Sequence, residues 1–77
     1  MNKNRRQRLR WIRDRIASQE SLVEELANEE EKAHGNMPKN LQRSYKPIQS
    51  LVNIDLLADL NDLLRQAQKK IDKIIGE

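Results

Sequence analysis

Seventy-seven residues with a formal charge of +3 and no cysteine exclude several classes at once. A chain this short builds one small domain and encloses little core by itself, and without cysteine it has no disulfide framework, thiolate nucleophile or thiolate metal site. No apolar run approaches the ~20 residues that span a bilayer, and the basic start lacks the apolar stretch of a signal peptide, so the reading is a cytoplasmic protein with no membrane role.

The first predicted element is a helix over about residues 4–34. It opens on RRQRLRWIRDR, residues 5–15, which holds six arginines and the chain's one tryptophan. Leu9, Ile12, Ile16, Gln19, Val23 and Leu26 recur at alternating steps of three and four, and Glu30 and Ala33 continue the frame weakly. That spacing forms one stripe on a helix. Charge is segregated along it: residues 1–15 carry seven cations against Asp14, and residues 16–34 carry six glutamates against Lys32. Cations at the N-terminus and Glu29, Glu30 and Glu31 near the C-terminus run against the helix dipole. Local rules broken without local gain point to function.

The connection spans residues 35–43. Gly35 is expected in the left-handed conformation that ends a helix. Pro38 disfavours helical geometry at Met37, and Asn36 is placed to cap a short turn over residues 38–41. Met37 and Leu41 read as an apolar plug closing the turn, with Tyr45 packed opposite Ala33. The stretch KAHGNMPKNLQRS, residues 32–44, resembles the turn of a group of small, functionally uncharacterised helical proteins from phages and bacteria. Their pattern is Ala-x-x-Asn-Met/Leu-Pro-x-Ser/Asn-Leu-Gln-x-Ser, matched here by Ala33, Asn36, Met37, Pro38, Asn40, Leu41, Gln42 and Ser44. The resemblance implies a helical hairpin and a phage or prophage setting. It implies no activity and no site residues. The chain departs from the pattern in its arginine-rich start and in Tyr45–Lys46–Pro47 after the turn.

The second predicted helix covers about residues 44–75, capped by Ser44 with Pro47 in its first turn, or starting later with Ser50 as the cap. Leu57, Leu60, Leu64, Ala67, Ile71 and Ile74 form its seam, Leu56, Leu63 and Ile75 widen it, and Ile48, Leu51 and Val52 extend it backwards. Gly76 marks its end. No segment alternates with period two, so no strand is predicted. Two helices of about 45 Å joined by one short connection make an all-α antiparallel hairpin whose facing residues sum to about 78. Its apolar stripe is wider than one partner helix covers. The expectation is therefore a homo-oligomer, a four-helix bundle with coiled-coil-like packing or larger, built on Leu22, Val52, Leu56, Leu60, Leu63, Leu64, Ile71 and Ile75.

Catalytic chemistry is absent from the pattern. Glu31 and His34 have the E-x-x-H spacing of carboxylate-bridged metal sites, but one such pair beside a glycine is too little for a metal. Asp55, Asp59 and Asp62 share a face opposite the leucines and read as a solvated face. No phosphate loop, nucleophile elbow or triad spacing occurs. The reading is a non-enzymatic protein with no cofactor.

The arginines carry the functional expectation. Arg5, Arg6, Arg8, Arg10, Trp11, Arg13 and Arg15, supported across the hairpin by Lys69 and Lys73, form an anion-facing surface beside Arg65 and Lys70. NRRQRLRWIRDRI resembles, in composition, the arginine-rich RNA-binding helices of phage antiterminators and of a retroviral export factor. In such helices guanidinium forks grip phosphates and an aromatic ring stacks on a base. Nucleic acid is the expected partner, with an acidic protein or a nucleotide as other anions. The competing reading is a protein-interaction module, such as a phage inhibitor of a host or defence-system protein, working through the apolar and basic surfaces. The bland reading is a solvated basic end that opposes glutamates of a neighbouring subunit.

Overall fold

The computed structural model describes residues 1–38 and 45–76, with side chains in the second segment from residue 48 onward. Two helices, α1 (Lys3–Gly35) and α2 (Tyr45–Ile75), pack against each other as a hairpin. The result is a rod measuring 59 × 14 × 13 Å between Cα extremes. No strand occurs among the described residues.

Asn2 starts α1. Its backbone is extended, and its Oδ1 accepts from the Arg5 N–H at 2.9 Å, satisfying one of the unpaired donors of the first turn. At the other end the helix runs through Gly35, which does not take a positive φ. The expected left-handed glycine cap is thus not used. Asn36, in the right-handed region at φ −86°, serves as the cap residue, and its N–H donates to the Lys32 carbonyl at 3.0 Å. α2 begins at Tyr45, which leaves Pro47 inside the first turn, where a missing N–H costs nothing. Ser50 lies within the helix and is no cap. Gly76 follows the last helical residue and donates to the Asp72 carbonyl at 2.9 Å. Met37 is half-buried. The expected cap Ser44, the short turn through residues 39–41, Leu41 in the plug and the Tyr45 side chain lie outside the described residues.

The seam corrects the sequence frame in one respect. On α1 the row Leu9, Ile16, Val23 and Glu30 faces α2, as the stripe requires. On one side of that row lie Ile12, Gln19, Leu26 and Ala33; on the other lie Arg6, Arg13, Glu20, Ala27 and His34. Periodicity chose the first flank because it is apolar. The hairpin closes on the second, and Ile12, Gln19, Leu26 and Ala33 remain exposed. α2 behaves likewise. Ser50, Leu57, Leu64 and Ile71 form its central row, and Ile54, Asn61, Gln68 and Ile75 complete the contact. Leu60, expected in the seam, is exposed on the other flank, while Ala67 and Ile74 there are half-covered.

Polar ties explain the choice. Arg13 Nε meets Asp72 Oδ1 at 2.7 Å, and Arg65 Nε meets Glu20 Oε1 at 2.6 Å. Gln68 Nε2 donates to the other Glu20 oxygen at 2.6 Å, and the Ser50 hydroxyl donates to Glu30 at 2.6 Å. The pairs Arg13–Asp72 and Glu20–Arg65 also set the register, several residues away from an alignment of equal ends. Among the described residues only Ile71, 8% exposed, and Ser50, 5% exposed, are fully buried. Enclosing one large aliphatic side chain contributes ~1.5–3 kcal/mol, so most of the apolar area able to stabilise this fold is still open.

Candidate anion-binding end and apolar groove

The sequence placed nine residues in one basic surface; the hairpin distributes them around the rod. Helix geometry sets residues three, four and seven apart on a common face, and the α1 arginines divide accordingly. Arg5 and Arg8 line a cleft with Met1, Leu9, Ile12 and Ile74. Arg15 lines the next cleft along the rod with Trp11, Ile12, Gln19 and Leu64. Arg6 and Arg13 lie on the opposite flank, where Arg13 is held by Asp72. Arg10 is exposed and reaches only Gln7, at 3.4 Å. On α2, Lys69 and Lys73 are exposed and sit one turn apart.

Two cations expected in the basic cluster, Arg13 and Arg65, form ion pairs across the hairpin at its surface. Arg65 lies beside Glu20 and has Asp62 at 3.9 Å, so it does not join the arginines of residues 5–15. Two hydrogen bonds, from Gln68 and then from Arg65, hold the Glu20 carboxyl below its ordinary value of 4.5. The same contact holds the Arg65 guanidinium above its usual value, through its hydrogen bond to Glu20 and the carboxylate charge. Among the described residues Lys3, Arg5, Arg6, Arg8, Arg10, Lys69, Lys70 and Lys73 meet no carboxylate. The first turn of α1 contains no acid. Lys32 in its last turn offsets part of the unfavourable charge of Glu29 to Glu31 there.

Trp11 is 60% exposed. The Arg15 guanidinium lies 4.5 Å from the centre of its ring, a cation–π contact worth about 0.5–1 kcal/mol at the surface. The ring stands at the lip of the apolar groove, not on the side of Arg6 and Arg10.

That groove runs along the flank the hairpin leaves open. Towards the turn a cavity of about 590 Å³ is lined by Leu26, Ala33, Leu56, Leu57 and Leu60, with the exposed Glu29 and the Ser50-bonded Glu30 beside them. Of the expected assembly residues, Leu22, Val52, Leu56, Leu60 and Leu63 are exposed. Leu64 and Ile75 are half-buried, and Ile71 is enclosed between the helices. The inter-helix ties Glu20, Gln68, Glu30–Ser50 and Arg13–Asp72 were not anticipated as a group. Their only sequence signal was a second row at steps of seven, at residues 6, 13, 20, 27 and 34, less apolar than its neighbour.

His34 Nδ1 is buried without a hydrogen-bond partner, as are Arg6 Nε and Asn61 Oδ1. Among the described residues no three His, Asp or Glu side chains converge as metal ligands, and Asp55, Asp59 and Asp62 are exposed. Among the described residues no helix is long and apolar enough to cross a membrane. Comparison with protein-family models, with curated proteins and with solved structures found no match.

Proposed function

We propose that the chain is a small non-enzymatic binding protein whose open end engages an anionic partner, with nucleic acid as the favoured class, and that it works as a homo-oligomer built on its exposed leucines. One observation carries the reading. Among the described residues Arg13 and Arg65 have carboxylate partners, whereas Lys3, Arg5, Arg6, Arg8, Arg10, Lys69, Lys70 and Lys73 have none. Arg6 and Arg10 lie one turn apart, a like-charge pair that destabilises the free helix by a few tenths of a kcal/mol. A row of phosphates relieves that repulsion and satisfies guanidinium donors in pairs. A competing protein-interaction role draws its support from the open groove, because an apolar contact is nearly independent of salt whereas phosphate contacts are not.

The test titrates an RNA hairpin and a single-stranded oligonucleotide at several salt concentrations. Binding should weaken steeply with salt as counterions are released. Replacing Arg6 and Arg10 by Gln removes both charges while keeping helix propensity and a hydrogen-bonding side chain. It should lower the slope of log K against log salt by about 1.4 on a single strand, at ~0.7 per phosphate contact. Equal affinity and slope in parent and variant would remove the anion reading.

A further inference from the structure

We infer that the open groove is covered by a second copy of this chain lying antiparallel to the first, so that the two connecting turns sit at opposite ends of the bundle. This rests on the assembly reading above and specifies its geometry. The groove's charge makes the choice. At the open end its sides carry Arg5, Arg8 and Arg15; towards the turn they carry the exposed Glu29. Two hairpins stacked with their turns together lay α1 of each over α2 of the other, so the rim arginines face the end of α2 that carries Lys69, Lys70 and Lys73, and Glu29 faces a stretch with no cation. Reversing one copy sets arginines against glutamates at both ends, and opposite charges across an interface favour the reversed register.

The spacing on α1 fits that reversal. Arg15, Leu22 and Glu29 share one face at equal intervals. A two-fold axis through Leu22 sets Leu22 against its own copy and Arg15 against Glu29 in two symmetric contacts. The axis falls in the apolar middle of the rod, where Leu22, Leu26, Leu60 and Leu63 are exposed. Size agrees as well. A face 59 Å long and 14 Å wide is roughly 800 Å², the area each partner contributes to a standard stable interface. Burying this flank completes both helices as members of a four-helix bundle, each with one flank facing its own hairpin and one facing the copy. It also divides the arginines. Arg8 and Arg15 meet the other subunit, and the exposed Arg10, Lys69 and Lys73 stay outside for the anion.

The chain has no cysteine, so single cysteines report orientation cleanly. Arg15→Cys and Glu29→Cys proteins, mixed and oxidised, should cross-link to each other at least about tenfold more than either does to itself. The parent should sediment at twice its 9.1 kDa chain mass. Arg15→Glu should weaken dimerisation about tenfold, through two symmetric like-charge contacts, and adding Glu29→Arg should restore it. A single-chain mass at 100 µM overturns the assembly together with its orientation. A dimer in which Arg15→Cys links to itself, or in which no pairing is preferred, overturns the antiparallel arrangement alone. The anion reading is tested separately, because Arg6 and Arg10 lie off this interface.

Discussion

Gly35→Ala should stabilise the protein. A glycine at the end of a helix usually supplies a left-handed cap, where adding a Cβ is strained. Here Gly35 is the last residue of α1 in ordinary helical geometry, and a Cβ built on it meets nothing within 4 Å. In a helix interior the change gains ~0.8–1 kcal/mol. In a terminal turn, where fewer hydrogen bonds depend on the residue, about half of that is expected, ~0.5 kcal/mol. At 4–8 °C per kcal/mol for a domain of this size, Tm should rise by about 2–4 °C. The assay is thermal unfolding followed by circular dichroism, with parent and variant at one chain concentration because the Tm of a protein that associates depends on it. Gly35→Val should lie within about 0.5 kcal/mol of the parent, since Val has only moderate helix propensity and meets no clash. A fall in Tm of several degrees for both variants would refute the reasoning and return Gly35 to a left-handed conformation.

Asn2→Ala removes the acceptor for the Arg5 N–H and should cost ~1 kcal/mol, the typical loss of an N-cap side chain, read as a lower denaturation midpoint at unchanged slope. Glu20 concerns acid stability. Its carboxyl is held below 4.5 in the folded chain by Gln68 and Arg65, so its contribution is present above that value and lost as pH falls through the lower folded one. The parent should therefore lose stability as pH drops below about 4.5, and Glu20→Gln should lose less over the same interval. Parallel pH profiles would show that Glu20 is not part of the acid response.

The two helices and the positions of their ends were legible in the sequence, because periodicity and the paired Gly and Pro positions act locally. The central rows Leu9–Ile16–Val23 and Leu57–Leu64–Ile71 were legible for the same reason. Which flank of each row meets the other helix was not. A hydrophobic stripe records what is buried in the working assembly, and it does not say against which helix. Glu20 and Gln68 looked like surface residues until Arg65 stood beside them, and that pairing depends on a register only the tertiary fold sets. The basic end was legible as composition but not as geometry. Seven cations within residues 1–15 necessarily point around most of the helix circumference, and long-range partners such as Asp72 decide which of them stay unpaired.

The two flanks of each helix answer to different physical variables. The closed flank is held mainly by charge-assisted hydrogen bonds near the surface, which added salt and acid weaken. The open flank is aliphatic, and the force that buries it is entropic near room temperature, so cooling weakens it while salting-out ions strengthen it. Cooling weakens any contact made through the exposed leucines, whereas acid weakens the carboxylate ties between the helices. The two flanks of the described helices thus answer to different conditions, one to temperature and one to pH.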